Sequence, residues 1–215
     1  MKKEIKVEVP TSWSDITLKK YLDLQVDLEA YEGDEEATTA ALFNHLCSFD
    51  ISLISKLSLD SYNLLKSKLN NLVNPTDVPL TKFVKIGGIE YGFEPNLSQI
   101  SYGAYADITS FETIKIDKNW AKVMNILYRP VKLKSHNLYE IEPYNGDENW
   151  EKWLDVDMSV HFGCWFFFIN LQTDLLNVIL SYMKEVELPP NIKSILEKSG
   201  KLIQQSLNLR MEILK

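Results

Sequence analysis

The chain has 215 residues, 45% hydrophobic and 25% charged, with 8 Gly and 8 Pro. That composition excludes a disordered or fibrous chain and allows one large domain or two small ones with a real core. A formal net charge of -7, with no Lys/Arg cluster among aromatics, disfavours nucleic-acid binding.

The only two cysteines, Cys47 and Cys164, have no CxxC spacing, so no disulfide framework is expected and folding in a reducing cytoplasm is. The N-terminal MKKEIKVEVP carries two lysines but no apolar h-region, unlike a signal peptide. Residues 3–9 alternate charged and apolar (Ile5, Val7, Val9) and predict a half-buried strand ended by Pro10. TSWSD at 11–15 supplies capping residues for a helix on 16–30, with Trp13 as a staple against it. Further helices are predicted at 36–49 and 57–73, the first entered through the acidic loop 32–37.

The stretch 81–95, TKFVKIGGIEYGFEP, changes character. Gly87-Gly88 between two alternating runs supplies the positive φ of a two-residue hairpin turn. Asn96 or Ser98 then caps a short helix, QISYGAYADI, and another helix follows over 119–128, stopped by Pro130. Residues 132–137 read as an exposed polar loop tip, and Tyr139 with Ile141 as a short strand. PYNGDENW at 143–150 turns the chain into a helix bearing Trp150 and Trp153.

The stretch 155–186 predicts one long helix. Met158, Phe162, Trp165, Phe166, Ile169, Leu176, Ile179, Leu180 and Met183 recur at helical spacing, and Phe167, Leu171, Leu175 and Val178 widen the stripe. A helix apolar nearly all round is a core element. His161, Gln172 and Asp174 interrupt it, so it lacks the roughly 18 uninterrupted apolar residues of a membrane span. Pro189-Pro190 breaks the chain before a final amphipathic helix with Ile192, Ile195, Leu196, Leu202, Ile203, Leu207 and Leu209. Gly200 within that helix costs about 1 kcal/mol against Ala, so a kink or a break is expected there. The fold class expected is mainly α with a small β component. Its organisation is an N-terminal strand and helical segment, 1–80, and a hairpin and helical core, 81–215, or one continuous domain.

No motif names a reaction. His161 and Cys164 are one helical turn apart, but a zinc site needs two more ligands from His45, Cys47 and His136, and His45 and Cys47 face different ways. No metal or cofactor is expected. Asp155 and Asp157, with Asp147 and Glu148 nearby, read as caps for the long helix in preference to an acid–base pair. Gly87-Gly88 is not followed by Lys-Ser/Thr, and neither GxSxG nor HExxH occurs. Enzyme activity is therefore not expected. An active site assembled from Glu142, Asp155 and Asp157 would require those groups to converge. Arginine is scarce, only Arg129 and Arg210 among 23 basic residues. Arg129 beside Pro130 is read as a corner-fixing partner of Glu140 or Glu142, with a partner-binding hot spot as the alternative. Tyr102, Tyr105, Tyr144, Trp150 and Trp153 are the aromatics that a core could leave exposed as a partner surface.

Three blocks together, IGGIEYGFEPNLSQISYGAYADI (86–108), NWAKVMNILYRPV (119–131) and YEIEPYNG (139–146), carry a resemblance covering residues 83–182. Their order resembles structural and assembly proteins of tailed phages of Bacteroidota, including the crAss-like phages, some labelled tail-assembly-chaperone-like. The resemblance implies a non-enzymatic protein acting by protein–protein contacts with portal, neck or tail subunits. It would be found in the virion, and in the host cytoplasm during assembly. It would serve as structural component or packaged cargo, or as a chaperone absent from the mature particle. No specific nucleic acid and no membrane are expected as partners, and a homo-oligomer is open. The acidic balance suits a surface near packaged DNA that must not adhere to it. A host-directed binding protein is the alternative from a different class.

Overall fold

The computed structural model describes residues 6–72, 78–111, 115–136 and 138–185. The fold is mainly helical with one small antiparallel sheet, as the sequence pattern predicts. Helices α1 (Leu18–Ala30), α2 (Glu35–Cys47) and α3 (Leu59–Asn70) form the first layer. Strands β1 (Phe83–Ile86) and β2 (Ile89–Phe93) follow, then α4 (Tyr102–Thr109) and α5 (Trp120–Leu127). Strands β3 (Tyr128–Ser135) and β4 (Leu138–Ile141) lead through a 3₁₀ turn, Glu151–Asp155, into α6 (Met158–Glu185). The four strands pair in the order β1-β2-β3-β4.

Local chemistry explains most starts and stops. Thr17 caps α1, accepting Lys20 N–H, and Asp34 caps α2, accepting Ala37 N–H at 3.0 Å. The TSWSD set caps a different element. Its Asp15 carboxylate accepts the N–H groups of Thr11 and Ser12 and closes a 3₁₀ turn, Trp13–Asp15, which holds its pKa below the usual carboxylate range. Trp13 nevertheless packs edge-on against Tyr21 of α1 and against Phe162 of α6, with centroids 6.1 and 4.9 Å apart. Gly87 and Gly88 both have positive φ, +57° and +87°, and form the tight β1–β2 turn.

Several expectations change. Residues 6–10 form no strand, and the rest of that run lies outside the described residues; Val7 and Val9 still pack on the core. The short helix after β2 is two elements, a 3₁₀ turn capped by Asn96 and α4 capped by Ser101. Residues 132–135 belong to β3, with Leu133, Lys134 and Ser135 paired to β4 and the register shifting at Lys132, so no polar loop starts at 132. An exposed strand needs a partner strand but no apolar face, and here β3 carries Lys132 and Lys134. The helix predicted to bear Trp150 and Trp153 is only the 3₁₀ turn, because Val156 and Asp157 leave it in extended conformation. Thr17 bridges Asp157, flanked by Leu18 N–H to Val156 O at 3.0 Å and Met158 N–H to Ile16 O at 2.7 Å. These three residues on each side tie the first layer to the root of α6. One hydrophobic core runs from Ile16, Leu18 and Phe43 to Trp120, Tyr128 and Phe162, drawing on both halves of the chain. The final amphipathic helix and Gly200 lie outside the described residues.

Helix α6 has two characters. From Met158 to Phe166 every residue is buried apart from Ser159. Beyond Ile169 the apolar stripe opens to solvent, with Leu175 54%, Val178 66% and Ile179 48% exposed. By length and hydropathy alone Met158–Ile179 would suffice to cross a bilayer, unlike the reading from interrupting polar residues. A third of that window is covered by the rest of the protein.

Two glycines are contact points. A Cβ on Gly92 of β2 would stand 2.9 Å from Ile141 and 3.0 Å from the Tyr139 ring. The Tyr139 ring thus lies across the sheet, edge-on to Phe83, with its hydroxyl donating to Phe93 O at 2.6 Å. A Cβ on Gly163 of α6 would meet the Pro79 carbonyl oxygen at 2.5 Å.

Alanine in place of glycine normally stabilises a helix interior by about 1 kcal/mol. Gly163→Ala is expected to do the opposite, by about 1–3 kcal/mol in urea unfolding, since the obstacle is backbone. Trp165→Ala is expected to cost about 3–5 kcal/mol, read as a fall in melting temperature, because this ring is buried against Phe162 and Phe166.

Candidate partner-binding groove

Helix α5 is buried at every position from Trp120 to Leu127 except Lys122. Asn125 is polar within this buried run, and both ends of its amide are used. Its Nδ2 donates to Asp147 O at 2.7 Å, and its Oδ1 accepts from Trp153 Nε1 at 3.2 Å. The 143–150 segment is thereby fastened to α5, Asp147 accepting the Asn149 N–H at 3.0 Å and Asn145 that of Asp147. That bond and the nearby Lys152 keep the Asp147 carboxyl below its ordinary pKa.

Above this floor lies an open groove of about 700 Å³ between α4, α5 and the 144–151 segment. Phe111, Tyr144 and Trp150 give it aromatic walls. The Lys122 ammonium stands 5.6 Å from the Trp150 ring centre. Tyr144 donates its hydroxyl to the Asp107 carboxylate, and its ring lies 3.5 Å from where a Cβ on Gly103 would stand. Burial and then that hydrogen bond push the Tyr144 phenol up to about 12. Tyr102 and Tyr105, on the same α4, are 84% and 54% exposed.

The residues singled out in the sequence therefore separate. Tyr102, Tyr105, Tyr144 and Trp150 fall on α4 and the groove wall. Trp153 does not: it has no exposed surface, and it packs on Tyr91 and Tyr128 at 5.7 and 5.2 Å. A large ring with one N–H donor is stable in a core once that donor is paired, and Asn125 pairs it. Arg129 is also interior, its side chain 12% exposed, and its partner is Glu94, 10% exposed, in place of Glu140 or Glu142. The pair joins the end of β2 to the start of β3, where Glu94 N–H also donates to Leu127 O at 2.8 Å. Arg129 and Tyr144 share a small cavity of about 60 Å³ beneath the groove. Sequence reasoning missed Lys122 and Asp107. The signal for Lys122 was there, as the single charge in an otherwise apolar helix.

The groups weighed for catalysis or metal binding are dispersed. Asp157 accepts the N–H and hydroxyl of Ser159 at the start of α6, Asp155 ends the 3₁₀ turn, and Glu142 lines the small cavity. His45 pairs with Asp27 at 2.7 Å, linking α1 to α2. Cys47 and Cys164 are buried free thiols, and burial pushes the Cys164 thiol up. Among the described residues no three His, Cys, Asp or Glu side chains are grouped as a metal site requires. His161 is fully buried, its Nε2 facing Trp153 O at 3.2 Å and its Nδ1 without a hydrogen-bond partner. Compared with known protein families, curated sequences and solved structures, the chain matches none.

Burial lowers the His161 pKa to about 4, which opposes protonation of the folded state. An unfolded histidine takes up its proton near pH 6.5, so the unfolded state binds more protons below that pH. This contribution is complete above about pH 6.5 and is lost as the pH falls towards 4. Chemical denaturation at about pH 7.5 and pH 5 is expected to differ by about 2 kcal/mol on this account. His161→Gln, which keeps a donor for Trp153 O, should flatten that slope.

Proposed function

We propose that the chain is a non-enzymatic binding protein whose partner surface is the groove bounded by α4, α5 and the 144–151 segment. The observation that carries this reading is the exposure of Tyr102 and Tyr105 on α4, the helix whose Asp107 lines an aromatic-walled groove. Tyrosine and tryptophan bury large area at little entropic cost, and grouped exposed aromatics mark interfaces. The order of the 86–108, 119–131 and 139–146 blocks supports a more specific form of the proposal. In it, the chain is a tailed-phage virion protein at the portal, neck or tail, as structural component or cargo. All three blocks supply lining residues of the groove: Asp107 comes from the first, Lys122 and Asn125 from the second, and Tyr144 and Gly146 from the third.

The test is quantitative mass spectrometry of purified particles made with the wild-type chain or with Tyr102→Ser/Tyr105→Ser. The wild type is expected at a fixed count set by the portal ring, and the double variant depleted about tenfold with an unchanged melting temperature. A variable count lost on genome ejection would assign the cargo role. Absence of the wild type from particles would overturn the virion reading, and undiminished incorporation of the variant would overturn the surface.

A further inference from the structure

We propose that the occupant of this groove is a cationic segment of the partner protein, an arginine or lysine side chain seated between the aromatic walls and the carboxylate rim. This rests on the groove being a partner surface and adds the chemistry of what fills it. Four carboxylates line the groove, Asp107, Asp147, Glu148 and Glu151, against one cation, Lys122. Two of the four are engaged within the protein: Asp107 by the Tyr144 hydroxyl, and Asp147 by Lys152 at 3.4 Å. Glu148 and Glu151 are exposed and make no side-chain hydrogen bond or ion pair among the described residues. Among the described residues Lys122 is the only cation lining the groove, and it stands over the Trp150 ring. The Arg129 charge in the cavity beneath is matched by Glu94.

The groove therefore presents uncompensated negative charge over aromatic faces. Phosphate and acidic peptides are repelled by it, and a purely apolar segment would leave carboxylates facing apolar surface. A guanidinium satisfies both features, stacking on a ring while its N–H fork meets a carboxylate. The Lys122–Trp150 contact shows the same pairing already made once within the chain. A volume of about 700 Å³ has room for more than one side chain, so a segment fits better than a single ion.

The probe is a rhodamine-labelled tetra-arginine peptide, with binding to the full chain followed by fluorescence anisotropy at about 50 mM salt. Because the whole protein is acidic, the decisive comparison is between two charge-matched variants. Glu148→Gln/Glu151→Gln is expected to weaken binding about fivefold, while Glu32→Gln/Glu36→Gln, on exposed positions away from the groove, changes it less than about twofold. Equal effects from both variants, or no saturable binding, would overturn the proposal. Particle incorporation separates it from the reading beneath it. If Tyr102→Ser/Tyr105→Ser is excluded from particles while Glu148→Gln/Glu151→Gln enters normally, the cationic occupant falls and the docking surface stands. If both variants enter normally, both fall.

Discussion

The buried indole of Trp153 imposes the constraint on which the rest of this structure depends. Burying so large a ring is costly when its one N–H is left without an acceptor. Asn125 supplies it, but an asparagine in a buried helix brings two donors of its own, and one is settled by Asp147 O. The Trp153 carbonyl in turn faces His161 Nε2. As far as His161, each buried group is met by the next. The chain of bonds runs from the 143–150 segment through α5 and the 3₁₀ turn into α6, so elements far apart in sequence acquire one fixed arrangement. The groove is its outer consequence: Asp147 is held on α5, which sets Glu148, Trp150 and Glu151 along the rim.

Close backbone approach is the second organising device. The sheet has four short strands and depends on an apolar face for its stability. It packs across its own face by laying Tyr139 and Ile141 of β4 over Gly92 of β2, where any side chain would intrude. The ring then reaches Phe83 on the far edge strand, so a single aromatic spans the width of the sheet. At Gly163 the same logic brings the 78–80 segment onto α6. The glycine costs helix propensity, and what it gains is the packing of a whole connection against the core.

Patterns of local origin were legible in the sequence. The Gly87-Gly88 hairpin, the helical layer, and the central place of the aromatic helix all follow from spacing within a few residues. What was not legible depended on partners distant in the chain. Arg129 was expected to meet the carboxylates nearest it beyond Pro130, but strand pairing sets it opposite Gly92 and next to Glu94. Trp153 was indistinguishable from Trp150 by type and spacing. Its burial was decided by Asn125, 28 positions earlier. The β3 extension over Lys132 and Lys134 reads as loop because solvent-exposed strands carry no apolar alternation; Lys134 is instead stabilised across the sheet by Glu90 and the Phe83 ring.

Helix α4 shows how the binding surface is kept separate from the fold. It has eight residues, too few to be stable alone, and only Ala104 on it is buried. Its attachment to the groove wall comes from Gly103 against the Tyr144 ring and Asp107 accepting the Tyr144 hydroxyl. Tyr102 and Tyr105 take no part in that attachment. Exposed tyrosines side by side add nothing to a core they do not enter, so folding does not account for them. The groove's carboxylates follow the same division. Asp107 and Asp147 hold structure, whereas Glu148 and Glu151 hold none, and it is the second kind of residue that is free to meet a partner.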